Sequence, residues 1–240
     1  MLNSIKLLAM KTNPINNQNQ DFEDSVKKSF NRIDCIIYDC DGVLFDSLET
    51  NRKLYDHIAL SMGRQHLSEE ELRYCHTHTV FESIHLLFQD NVLLEERALA
   101  FLKNNVDLNE FLIYLRMETN LIETLTALKE KGIFRAISTN RTTTMKQIMA
   151  DFNLTQYFDI VVTALDVTRP KPDSESVEKI LRELNIDRNK VIYIGDSDID
   201  RKTAASSGVK FIAYKNTEIM ADYFIDDHLD LLKLLLSGIN

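Results

Sequence analysis

The chain has 240 residues, 44% of them apolar and 27% charged, and carries a formal net charge of −9. That length allows one large domain or two modest ones, with enough apolar side chains for a sizeable core. The acidic balance argues against a broad nucleic-acid or anionic-membrane surface, which needs clustered Lys and Arg, but leaves room for a small phosphorylated substrate in a locally cationic pocket.

Residues 1–32 read as a loosely ordered N-terminal extension. Thr12 to Gln20 is crowded with Asn and Gln and holds one of the three prolines, a composition that buries little apolar surface. One short helix is expected near Phe22–Phe30. Ile5 to Met10 is too short for a secretory signal, and no apolar run approaches the ~20 residues of a membrane span. The three cysteines, Cys35, Cys40 and Cys75, are odd in number and lack CxxC spacing. They indicate neither a disulfide framework nor a zinc site, and a reducing cytoplasm is the expected location.

The next segment is the most informative. In Ile36-Ile37-Tyr38-Asp39-Cys40-Asp41-Gly42-Val43 an apolar run ends in two carboxylates two residues apart. Alternation along a strand puts such residues on one side. Neighbouring acids at the end of a buried strand repel each other and lose hydration, and a hard cation such as Mg²⁺ would reverse that penalty.

Residues 47–119 have no clear strand. Helical periodicity runs over Leu48–Met62, Ser68–His76, Val80–Phe88, Leu94–Asn104 and Leu108–Met117. This stretch is expected to be an all-helical cap inserted after the first strand and its turn, with hinge-like crossings near Asp46–Leu48 and Arg116–Asn120. From residue 120 the pattern alternates. Strands are expected at Phe134–Ser138, Ile160–Thr163, Val191–Ile194 and Lys210–Ala213, following the first at Cys35–Tyr38. Helices are expected at Leu121–Lys131, Thr142–Phe152, Ser174–Leu184, Asp200–Ser207 and Asp227–Leu236. Gly132 and Gly208 stand where helix ends need a left-handed residue. The alternation predicts an α/β fold: a Rossmann-like parallel sheet, formed by 33–46 and 120–240, with helices on both faces.

Such sheets bind ligands beyond the carboxyl ends of their strands. Asp39 and Asp41 fall at that end, as do Thr139-Asn140 and Gly195-Asp196-Ser197-Asp198-Ile199-Asp200. Lys171, bracketed by Pro170 and Pro172, starts from a stiff backbone. In order and spacing these stretches resemble the four motifs of the haloacid dehalogenase superfamily, and within it the phosphoglycolate phosphatase-like group, whose helical cap lies between the first and second motifs.

The resemblance implies a HAD-like core and a Mg²⁺-dependent phosphatase acting on a small phosphorylated metabolite through an aspartyl-phosphate intermediate. It makes Asp39 the nucleophile and Asp41 the general acid and base, with Gly42 turning the chain sharply beside the phosphate. Thr139 and the Asn140 amide would grip the phosphoryl oxygens; Ser138 competes for the hydroxyl role. Lys171 would neutralise Asp39 and the phosphate. Asp39, the Asp41 carbonyl and Asp196 would hold Mg²⁺, with Asp200 supporting the metal or orienting Lys171. The competing readings are a phosphomutase, weakened by Asn51 where those enzymes carry a hinge histidine, a receiver-type phospho-acceptor and an inactive binding module. Asn51, Arg52, Arg116 and the run His76-Thr77-His78-Thr79 are candidate substrate contacts from the cap. No nucleic acid, membrane or obligate protein partner is indicated.

Overall fold

The computed structural model describes residues 33–236. The expected extension over 1–32, with its helix near Phe22–Phe30, lies outside them. In chain order the strands are β1 (Cys35–Tyr38), β2 (Phe45–Asp46), β3 (Arg116–Met117), β4 (Phe134–Ser138), β5 (Ile160–Val162), β6 (Val191–Gly195), β7 (Lys210–Tyr214) and β8 (Tyr223–Ile225). Six of them form a parallel sheet in the order β5-β4-β1-β6-β7-β8. This is the α/β architecture that the strand–helix alternation predicts.

The central strand shows why the sheet takes this form. Every residue of β1 is buried, as a parallel strand covered on both faces requires. Ile36 and Tyr38 point to one side, into a cluster with Leu121, Leu125, Ile148 and Leu231. Cys35 and Ile37 point to the other, against Val177, Ile180 and Ala204. Five helices supply these covers: α5 (Leu121–Glu130), α6 (Met145–Asp151) and α9 (His228–Leu236) on the first face, α7 (Glu175–Leu184) and α8 (Asp198–Ser207) on the second. Each fully buried aliphatic side chain contributes about 1.5–3 kcal/mol.

The intervening stretch is helical, as expected, through α1 (Leu48–Ser61), α2 (Glu69–Thr77), α3 (Val80–Phe88) and α4 (Val92–Asn105). These helices share an apolar cluster of their own that includes Leu54, Ile58, Ile84, Phe88, Ala98 and Leu102. Ser68 and Thr79 each start a helix with a capping box, to Glu71 and Glu82. Of the His76-Thr77-His78-Thr79 run, His76 and Thr77 therefore end α2, and His78 and Thr79 form the break before α3.

Three expectations need correction. Leu108–Met117 is not one helix: a 3-10 helix spans Leu108–Tyr114, and β3 follows. β3 pairs antiparallel with β2, so the two crossings into the helical stretch lie side by side, Phe45 opposite Met117 and Asp46 opposite Arg116. The helix expected at Thr142–Phe152 is confined to α6 (Met145–Asp151), and β8 is an edge strand with no counterpart in the sequence reading.

His228, at the start of α9, is fully buried. Its Nε2 donates to the Val43 carbonyl at 2.9 Å, and its ring stacks on Tyr214 at 4.7 Å. Burial lowers its pKa from 6.5, outweighing the carbonyl that favours the charged form. The unfolded chain thus binds a proton near pH 6.5 that the folded chain refuses. Stability is fully present above that pH and falls as pH drops toward the lowered folded value. His228→Gln, which keeps a donor for Val43, is expected to flatten this acid-side loss, as read by urea denaturation at pH 7.5 and 5.5.

Candidate active site

The sheet brings three strand ends together. Tyr38 pairs with Ile137 of β4 and with Ile194 of β6, so Asp39, Thr139 and Asp196 emerge side by side at the carboxyl edge. The Asp39 amide donates to the Ile194 carbonyl at 2.9 Å, holding the first acid against β6.

Lys171 reaches this edge from the loop before α7. Its ammonium is buried and lies 2.7 Å from both Asp39 Oδ1 and Asp200 Oδ1. The flanking carboxylates push its pKa well above 10.5, against the opposing effect of burial. Asn140 fixes the lysine backbone: its Oδ1 accepts from the Lys171 amide at 3.1 Å and its Nδ2 donates to the Lys171 carbonyl at 3.2 Å.

Asp200 explains the spacing of the last motif. It occupies the third position of α8 and forms a capping box with Ser197. Oδ2 accepts from the Ser197 hydroxyl at 2.6 Å, while Oδ1 accepts from Lys171 and from the Tyr193 hydroxyl at 3.2 Å. One carboxylate thus caps a helix and aims the lysine. Gly195 leaves no alternative, since a Cβ there would stand 2.2 Å from Asp200 Cβ.

Asp196 lies against the turn of the first motif. Gly42 has φ +73°, and a Cβ on it would fall 2.0 Å from Asp196 Oδ2, so glycine is required for both reasons. Carboxylate oxygens of Asp39, Asp196 and Asp200 lie within 4.8 Å of one another. Burial, then repulsion from Asp200, raises Asp39 to about 7 despite Lys171, and burial with the charges of Asp200 and Asp39 raises Asp196 well above 3.8. His76 Nε2 is 4.0 Å from Asp196 Oδ2, but burial lowers the histidine's pKa and favours its neutral form. The acid cluster therefore exceeds its cations. An all-oxygen set with surplus negative charge fits a divalent hard cation.

Asp41 has a different partner. Arg141 Nε and Nη2 donate to its two oxygens at 2.7 and 2.6 Å. Burial alone would raise Asp41, yet this fork lowers its pKa below 3.8. The sequence reading missed Arg141, although it directly follows Thr139-Asn140. It also missed Tyr193, whose one hydroxyl proton is shared between Asp200 Oδ1 at 3.2 Å and the Ser138 carbonyl at 3.1 Å. The Ser138 hydroxyl is spent in the core on Ser176 at 2.8 Å, whereas Thr139 Oγ1 accepts from the Arg141 amide at 3.1 Å at the site.

The helical stretch meets this edge at the end of α2. His76 Nδ1 accepts from Asn51 at 2.8 Å, and the Thr77 carbonyl lies 3.5 Å from Asn140 Nδ2. His76 borders both a cleft of about 660 Å³, which Asp196, Ser197 and His78 also line, and an inner chamber lined by Asp41 and Arg141. Arg52 and Arg116 are not brought in: Arg52 pairs with Glu69, and exposed Arg116 donates to the Ile113 and Leu115 carbonyls. Cys35, Cys40 and Cys75 are unpaired and buried, and no described helix is long and apolar enough to cross a membrane.

The model of the haloacid dehalogenase-like hydrolases matches residues 36–214, and the chain belongs to that family. A solved HAD-superfamily hydrolase of subfamily IA from Geobacter sulfurreducens is 37% identical, with a TM-score of 0.70 over 85% of this chain and 97% of its own. Among curated relatives, pyrophosphatase PpaX of Bacillus cereus is 27% identical over 85% of this chain and 97% of its own length. Phosphoglycolate phosphatase of Rhodobacter capsulatus is 27% identical over 75% and 83%.

Replacing Lys171 by Met would leave the Asp39 and Asp200 carboxylates buried without their shared cation. The expected loss is about 3–5 kcal/mol of stability. The double change with Asp200→Asn should recover part of it, as measured by denaturant unfolding of both variants.

Proposed function

We propose that the chain is a Mg²⁺-dependent phosphatase that hydrolyses a small phosphomonoester through an aspartyl phosphate on Asp39. The observation that carries this is the Lys171 ammonium 2.7 Å from Asp39 Oδ1 and shared with Asp200, beside a third acid, Asp196, that it does not pair with. Phosphatase relatives agree with it.

In this reading an Asp39 oxygen attacks phosphorus, the ester P–O bond breaks, and Asp41 passes a proton to the leaving oxygen. Water then attacks the acyl phosphate and gives its proton to Asp41; the P–O bond to Asp39 breaks and inorganic phosphate leaves. Arg141 favours Asp41 as the carboxylate that takes the proton from water in the second step, and that proton is the one Asp41 passes to the leaving oxygen of the next substrate. Thr139 and the Asn140 amide orient the phosphoryl group, and Asn140 also fixes Lys171. Asp39, Asp196 and the Asp41 carbonyl would hold the metal. Both oxygens of Asp200 are already engaged, which suits a supporting role. Bound Mg²⁺ would supply charge neutralisation for the acids and the phosphoryl group. The helical stretch acts as a cap, closing over the site and excluding bulk water at the Asn51–His76 and Asn140–Thr77 contacts.

Asp39→Asn is expected to lose at least ~10³-fold in phosphate release, while wild type quenched in acid during turnover carries an acid-stable, base-labile phosphate. Near wild-type turnover by Asp39→Asn would contradict the assignment.

A further inference from the structure

His76 carries the helical stretch up to the acid cluster. At the end of α2, its Nε2 lies 4.0 Å from Asp196 Oδ2 and its side chain is 15% exposed. The ring is held in one orientation. Asn51, in the first turn of α1, donates from Nδ2 to Nδ1 at 2.8 Å, which leaves the ring proton on Nε2. A proton there also suits the carboxylate opposite, which a bare nitrogen lone pair would repel. At 4.0 Å, however, Asp196 is beyond hydrogen-bond range. Among the described residues, Nε2 has no hydrogen-bond partner. A largely buried ring thus offers an oriented donor with no acceptor.

The other donors at the acids come from the sheet side. Thr139, Asn140 and Arg141 follow β4, and Lys171 enters from the loop before α7. The helical stretch offers few alternatives to His76. Arg52 pairs with Glu69, and Arg116 donates to backbone carbonyls. Thr77 turns a carbonyl, not a donor, toward Asn140. His78 Nδ1 is engaged with the Thr77 hydroxyl and the Tyr74 carbonyl, and its ring stacks on Tyr74 at 3.7 Å. An oxygen that faces the helical stretch from the acid cluster therefore meets His76.

We infer that His76 is a catalytic residue supplied by the helical stretch: its Nε2–H donates to a phosphoryl oxygen of the substrate, and Asn51 is its positioning residue. The inference rests on the proposed phosphatase reading, which seats the phosphoryl group at Asp39, beside Asp196. It makes the cap part of the chemistry. Closure over the site then excludes water and delivers the last donor to the transferring group in one movement. Both members of the pair ride on cap helices, so the donor keeps its orientation whatever the position of the cap.

Two variants of similar size separate the donor from the shape. His76→Gln keeps an amide N–H near the Nε2 position, and His76→Met has none. Assayed on the full chain with Mg²⁺, His76→Met should lose roughly 10²-fold in kcat/KM, mostly in kcat, the cost of one donor aimed at developing charge. His76→Gln should recover about tenfold of that loss. The losses should be the same on phenyl phosphate and on glycerol phosphate, because the contact is with the phosphoryl group and not with either alcohol. Asn51→Ala should cost about five- to tenfold alone and nothing further in the His76→Met background. Equal activities of His76→Gln and His76→Met, a loss confined to one ester, or Asn51→Ala and His76→Met losses that multiply would each overturn the inference while sparing the phosphatase reading. If wild type hydrolyses neither ester, the phosphatase reading fails by itself, and calorimetry with inorganic phosphate still reads the contact. Weaker binding by His76→Met than by His76→Gln supports it; equal affinities, or no binding by wild type, overturn it.

Discussion

One buried ammonium carries much of the organisation of this molecule. Lys171 stands 2.7 Å from each of two carboxylates, Asp39 at the end of β1 and Asp200 in the first turn of α8. Neither acid can ionise comfortably in that setting without a cation, and Lys171 cannot stay charged without the acids. The group is therefore mutually dependent. The parallel sheet exists, from the site's point of view, to bring those ends together. Asn140 anchors the lysine backbone from β4, Asp200 aims the amine from the cap of α8, and Tyr193 holds Asp200 from within β6.

That arrangement remains unbalanced. Asp196 is pressed against Gly42 with neutral His76 as its nearest basic neighbour, and Asp39 is raised to about 7 even with the lysine beside it. A fold that preserves surplus buried acid is storing a requirement for a cation. Asp41, two residues from Asp39, avoids the same fate because Arg141 meets both of its oxygens. Adjacent acids of similar intrinsic character thus differ by their partners: burial and Asp200 raise the pKa of Asp39, whereas Arg141 lowers that of Asp41.

Much of this was legible in the sequence because each acid follows an apolar run that can only be a covered strand. Strand ends in a parallel sheet share one edge, so Asp39, Thr139 and Asp196 could be gathered without coordinates. Arg141 was less visible. An arginine in a loop has no periodic signature, and only the fold reveals that its guanidinium reaches Asp41, 100 positions earlier. The β2–β3 ribbon was hidden for another reason: two-residue strands show no alternation, and their pairing depends on the two crossings arriving together. Leu108–Tyr114 has apolar spacing that reads as an α-helix, yet docking against α1 and the turn into β3 leave it as a 3-10 segment. The helical stretch disclosed its helices through their periodicity, but not which faces turn toward the acids. His76 and Asn51 face them, whereas Arg52 and Arg116 do not.

The account stands or falls on the acid cluster being a cation site. Thermal unfolding of wild type and Asp196→Asn across a Mg²⁺ titration tests it most directly, because a ligand bound only to the folded state raises its stability with concentration. Wild type should show a progressive rise in Tm that Asp196→Asn largely loses. An equal rise in both proteins, or no response in wild type up to millimolar Mg²⁺, would contradict it.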